Sequence, residues 1–122
     1  MTAINFQKQF APKVADGSKT HTIRKRRNKP IQKGDWLQLY TGMRTQNCQR
    51  LAIRICTKVE SIIIDPINKK VVIGDTHLNT DEIYQLAIKD GFTDTLSFFH
   101  FFTQYPQEVL DKDMVIIHWR MI

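Results

Sequence analysis

Alternation of apolar and polar residues dominates the first part of this chain. Helical spacing takes over later, and alternation returns at the end. "AINF" predicts a short opening strand. In "QKQFAPKVADG", Phe10 and Val14 stand at helical spacing, and Gly17 terminates the segment because glycine accepts a positive φ. Pro12 is tolerated only in a first turn, so this helix is short. "THTIRKR" and "DWLQLYT" read as strands on either side of the turn signal "KPIQKGD". In "RLAIRICTKVESIIID", Leu51, Ile53, Ile55, Thr57 and Val59 alternate with Ala52, Arg54, Cys56, Lys58 and Glu60, which predicts that one face is buried. "DPINKK" turns the chain and "VVIG" returns as the hairpin partner.

From there Thr80 is the expected cap of "DEIYQLAIKDG", with Ile83, Leu86 and Ala87 on one face and Gly91 after it. "DTLSFFHFFTQYP" predicts a second helix ended by Pro106. Its Phe98, Phe99, Phe101 and Phe102 belong to the core, with one or two left to face a partner or a sheet edge. "MVIIHWRMI" is the closing strand. Strands, then helices, then a strand place the chain in the α+β class, as one domain over residues 1–122. A curved sheet or small barrel is the natural closure.

Composition adds little to that picture and charge adds much. Hydrophobic residues at 42% and charged ones at 25% describe a globular protein. No apolar run approaches a membrane span and no signal-peptide pattern opens the chain, so the expected location is cytoplasmic, with no membrane and no obligate protein partner. Cys48 and Cys56 form no C-x-x-C pair, and His21, His77, His100 and His118 lack metal-ligand spacing, so neither a metal nor another cofactor is expected. The net charge of +6 conceals an asymmetry. Residues 1–58 hold 13 Lys and Arg against Asp16 and Asp35, a net of +11, whereas residues 59–122 hold five against ten acids, a net of −5. Lys19, Arg24, Lys25, Arg26, Arg27, Lys29 and Lys33 follow one another with nothing acidic between them, a block suited to phosphate.

Within that block Gly17-Ser18-Lys19-Thr20-His21-Thr22-Ile23-Arg24 fits G-x-K-x-x-T-x-R. Here the sequence resembles the ASCH domain family, whose fold looks like the barrel of the PUA RNA-binding domains. "KPIQKGDWLQLYTG" resembles the family's following segment, "LAIKDGF" its acidic-Gly-Phe signature, and "VIIHW" its last strand. The resemblance spans Phe6 to Trp119 in matching order. It implies RNA biology in general, and one bacterial branch removes the acetyl group from N(4)-acetylcytidine. The catalytic set implied for that branch is a lysine, a threonine and a glutamate, which fall here on Lys19, Thr22 and Asp90. Aspartate is one methylene shorter than glutamate, and Glu82 is the substitute candidate.

The residue types suit amide cleavage on an exocyclic amine, which needs a base, an oxyanion stabiliser and a proton for the departing nitrogen. A lysine serves as base only when neutral, and Arg24 with its basic neighbours pushes Lys19 that way. A helix C-terminus or a close carboxylate pushes the other way, so the net sign stays open. On a strand, Thr22 and Arg24 share a face and His21 and Ile23 the other. Tyr40 and Arg44, in "LYTGMR", are expected to stack on a base and meet a phosphate, while parity puts Trp36 on the face of Tyr40, with at least one of these two rings in the core. Two functions remain. One is an amidohydrolase acting on N(4)-acylated cytidine. The other is an RNA-binding module or weak ribonuclease that holds RNA on Lys25, Arg26, Arg27 and Lys29.

Overall fold

The computed structural model describes residues 2–121 as an α+β unit built on a seven-stranded sheet. β1 (Thr2–Phe6) leads through a 3₁₀ turn into α1 (Ala11–Ala15), which carries Pro12 in its first turn, as the proline requires. Gly17, at φ +85°, then reverses the chain into β2 (His21–Lys25). β3 (Trp36–Thr41), β4 (Gln49–Asp65), β5 (Lys70–Ile73) and the two-residue β6 (Thr76–His77) follow. Three helices, α2 (Thr80–Lys89), α3 (Thr95–Phe102) and α4 (Gln107–Lys112), precede the closing β7 (Met114–Arg120).

β4 organises the sheet. It pairs antiparallel with β3 through its first residues, with β7 over Ile55 to Ser61, and with β5 from Ile62 onward. β1 adds parallel to β3, and β2 adds antiparallel to β7, with His21 opposite His118. Among the described residues β1 and β2 form no ladder with each other, so the sheet is not closed into a barrel. Side chains fill the seam instead. The Arg24 guanidinium lies 4.8 Å from the Phe6 ring centroid, and Arg27 Nη2 donates to the Ala3 carbonyl at 2.7 Å.

Four sequence expectations are corrected. Thr57 is an extra residue in β4 between Cys56 and Lys58, which pair with the consecutive Trp119 and His118, a bulge that breaks the simple alternation. The buried β4 side chains are therefore Cys56, Ile62 and Ile64, while Leu51, Ile53, Ile55 and Val59 are half-buried. The cap of α2 is Asn79 and not Thr80, because Asn79 and Glu82 exchange side-chain to backbone hydrogen bonds in a capping box. α3 stops at Phe102, four residues before Pro106, and that proline instead precedes α4, which the spacing did not reveal. Trp36 is 44% exposed and Tyr40 half-buried, because β3 turns Leu37 and Leu39 inward.

The core is one cluster in which aromatic rings join distant elements. Phe10 meets Phe92 at 5.3 Å, Phe92 meets Phe98 at 5.6 Å, and Phe98 meets Phe102 at 5.0 Å, tying the approach to α1 to α3. Gly91 makes this packing possible. Its φ of +103° lies outside the region open to other L-residues, and a Cβ there would stand 2.8 Å from Phe10 Cδ1. Gly91→Ala is expected to cost about 1–3 kcal/mol of stability, through strain at that φ and the clash. Gly74→Ala, at φ +59° with no atom within 4 Å of an added Cβ, should cost only about 1 kcal/mol. Urea unfolding of the two variants checks the order, and equal midpoints would disprove it.

Candidate active site

The end of α2 is the foundation of the site. Phe92 N–H donates to the Ala87 carbonyl and Gly91 N–H to the Ile88 carbonyl, both at 3.0 Å, the hydrogen bonds of a Schellman ending. The residues "DGF" thereby acquire separate tasks. Gly91 supplies the positive φ, Phe92 anchors the turn in the aromatic cluster, and Asp90, the helix cap, presents both its carbonyl and its carboxylate to one side.

Lys19 comes to meet it. The turn at Gly17 is held by the Lys19 N–H donating to the Lys13 carbonyl at 2.9 Å, and the lysine side chain then runs inward. Its Nζ donates to Asp90 Oδ1 at 2.5 Å and to the Asp90 carbonyl at 2.7 Å, with the Phe10 ring centroid 5.3 Å away. Lys19 is 3% exposed and Asp90 4%, so this is a buried ion pair between residues 71 positions apart. The direction left open by the sequence is downward. Burial holds the Lys19 ammonium below its usual range and outweighs the opposing attraction of Asp90, while Arg24 and Lys13 add to the lowering. The helix end facing Lys19 is that of α2, not of α1.

Thr22 and Arg24 face the same space. Arg24 Nε donates to Thr22 Oγ1 at 3.0 Å, so a guanidinium supports the hydroxyl oxygen and favours any negative charge that develops there. Together with Lys19 and Asp90 they line a cavity of about 230 Å³, which Asn5, Gln7, Gln104 and Tyr105 also border. Such a volume is below the range of drug-sized ligand sites, about 300–1,000 Å³, and suits a group the size of a base. Phe101 and Phe102 form part of its wall, so the half-buried Phe101 of α3 is the ring left facing the site.

Other expected residues lie elsewhere. Glu82 is engaged in the α2 capping box and exposed, so it is no substitute for Asp90. Tyr40 donates its hydroxyl hydrogen to Gln38 at 2.8 Å and Arg44 sits in an exposed turn at φ +66°; neither lines the cavity. Lys25, Arg26, Arg27 and Lys29 are all exposed. Arg27 and Lys29 border an open groove of about 1,050 Å³ with Trp36, apart from the Lys19 cavity.

One participant escaped the sequence reading. His21, 4% exposed, places Nε2 3.2 Å from Asp90 Oδ1. Its motif position carries no constraint, and only the parity that sets it opposite Thr22 marked it at all. Among the described residues no three of His, Cys, Asp and Glu converge as a metal site would require. Compared with known proteins, the chain matches no family model, no curated protein and no solved structure.

Removing one member of the buried pair strands the other. Asp90→Leu is expected to cost about 3–5 kcal/mol, whereas Lys19→Met combined with Asp90→Leu should cost clearly less than that single change. A double-mutant cycle by urea unfolding checks this, and simple additivity would refute it.

Proposed function

We propose that this chain is an amidohydrolase that removes acyl groups from the exocyclic amine of N(4)-acetylcytidine-type nucleosides, with Lys19, Thr22 and Asp90 as its working residues. The carrying observation is Lys19: a buried lysine held below its usual range in a base-sized cavity that it shares with a guanidinium-supported threonine. The framework we infer is the PUA-like one of the ASCH resemblance, in a form whose seam between β1 and β2 is held by side chains.

In this reading neutral Lys19 removes the Thr22 hydroxyl proton, and Thr22 Oγ1 attacks the acetyl carbonyl. Arg24 stabilises the negative charge on oxygen as the C=O bond opens. The C–N bond then breaks, and Asp90 relays the proton from Lys19 to the departing N4 amine. Water releases acetate from Thr22, returning hydroxyl and amine to their starting states. Asn5, Gln7 and Gln104 border the cavity where the cytosine edge would lie, and no cofactor enters.

A second reading is supported by the outer groove, where half-exposed Trp36 stands beside Arg27 and Lys29. An aromatic face flanked by cations suits single-stranded RNA, with a base on the ring and phosphates on the side chains. If RNA binds there, Trp36→Ala weakens it at every salt concentration, while Arg27→Ala also flattens the slope of log affinity against log salt by about 0.7. Filter binding at several salt concentrations checks both. Identical slopes for the wild type and Arg27→Ala would exclude this groove as the phosphate contact.

The hydrolase reading is tested by incubating the protein with N(4)-acetylcytidine and following cytidine by chromatography. Wild-type protein should turn over, and Lys19→Ala should not. Because the working amine is the neutral form and burial lowers its titration, kcat/KM should rise with pH and level off below the ordinary lysine value of ~10.4. No turnover by the wild type, or a rate that falls as pH rises, overturns the reading.

A further inference from the structure

The two cations that line the cavity are placed differently. Lys19 is answered by Asp90, with one carboxylate oxygen 2.5 Å from its Nζ. Arg24 has no such partner, since among the described residues it joins no ion pair. Its side chain makes one hydrogen bond, from Nε to Thr22 Oγ1 at 3.0 Å, and both Nη groups donate to nothing among the described residues. The Phe6 ring, its centroid 4.8 Å away, supports the guanidinium. Burial disfavours the Arg24 charge, Tyr105 and Asp90 oppose that effect, and Arg27 adds to it. A guanidinium nevertheless keeps its proton, so a largely desolvated cation stands at the cavity without a counter-ion.

Thr22 shows the same imbalance. It is 4% exposed, and its Oγ1 accepts from Arg24, but its hydroxyl hydrogen meets no acceptor among the described residues. The acceptors that Asp90 brings to the cavity are engaged, because its Oδ1 and its carbonyl both receive the Lys19 ammonium. Donors therefore exceed acceptors around Arg24 and Thr22. Buried donors are normally satisfied, and a small anion with two adjacent oxygens satisfies these at once.

We propose that Arg24 and Thr22 form a binding site for a short monocarboxylate, with acetate as its ligand. The carboxylate oxygens take the N–H groups of the two Nη atoms, and the Thr22 hydroxyl donates to one of them. The surroundings select a carboxylate over other anions. Phe10, Phe92, Phe101 and Phe102 line the rest of the wall, an apolar surface that a methyl group covers without loss. Phosphate would turn its remaining oxygens toward those rings and lose their hydration. Asp90 repels an incoming anion, but its own charge is already matched by Lys19.

Such a site has a consequence for the reaction proposed above. There the acyl group rests on Thr22 after cytidine departs, and water frees it as a carboxylic acid. An aliphatic carboxylic acid, like the glutamate side chain with its reference pKa of ~4.3, is ionised near neutral pH. Acetate is thus formed beside Arg24 as an anion and is the last product to leave. It rebinds the free protein at the group that the next substrate needs, so acetate competes with N(4)-acetylcytidine and slows turnover as it accumulates.

The source of the carboxylate rests on the amidohydrolase reading, but the site is tested without turnover. Protein labelled with 15N is titrated with sodium acetate at constant ionic strength, and the Arg24 Nε–H and Thr22 amide resonances are followed by NMR. A ligand so small binds weakly, so saturation is expected in the millimolar range. Acetamide, which has the same shape without the charge, should leave both resonances unmoved, and phosphate should bind more weakly than acetate. Arg24→Gln should weaken acetate binding by about tenfold or more, and Arg24→Lys, which keeps the charge without the fork, should recover part of it. No saturation in the wild type, equal shifts with acetamide, tighter binding of phosphate, or unchanged acetate affinity in a folded Arg24→Gln protein each overturn the proposal. If that variant does not fold, the comparison of acetate, acetamide and phosphate on the wild type decides. With N(4)-acetylcytidine as substrate, acetate should raise the apparent KM and leave kcat unchanged. Saturable acetate binding without hydrolysis would reject the proposed substrate and leave the carboxylate site standing, and hydrolysis without acetate binding would do the reverse.

Discussion

The buried pair of Lys19 and Asp90 is the constraint around which the molecule is arranged. It joins the turn before β2 to the end of α2, two points that share no ladder and no helix. Desolvating both charges is costly, so the pair persists only because α2 terminates with its carbonyl and carboxylate on the same side, and because Gly17 delivers the lysine at the right height. Each of these local features has a backbone cause in a glycine at positive φ. The pair also stitches together two halves of opposite charge, since Lys19 belongs to the basic first half and Asp90 to the acidic second.

Much of this was legible in the sequence, because local rules governed it. Glycine after a short helix, alternation in β2 and β7, and the apolar face of α2 all follow from backbone and period. The elements that were not legible depend on partners far away. The bulge at Thr57 arises from pairing with β7, and the residues around it carry no mark of it. The six-residue α4 was hidden because Pro106 reads as a stop, while it serves equally as the residue before a new helix. Thr80 and Asn79 are both good caps, and only the reach of Glu82 decides between them.

The candidate site divides along the same line. The motif spacing placed Lys19, Thr22 and Arg24 in one neighbourhood, because two of them share a strand face and the third precedes it. That Asp90 closes the set came from resemblance, and its geometry came from the Schellman turn, which no spacing rule connects to position 19. His21 was passed over because an isolated histidine on a strand has no pattern to distinguish it. Tyr40 and Arg44 failed for the opposite reason, since a promising local sequence says nothing about which opening it borders.

The unpaired rims of the sheet have a consequence for the protein in a crowded solution. A free strand edge is a template on which another chain can add, and among the described residues β1 and β2 each pair on one side only, leaving the other to a seam filled by side chains. The lysine and arginines that follow Arg24 are placed where they blunt this hazard. Arg27 already occupies a carbonyl of β1, and Lys25 and Arg26 put repelling charges at the end of β2. Like charges at that seam work against edge-to-edge pairing of two copies of the chain.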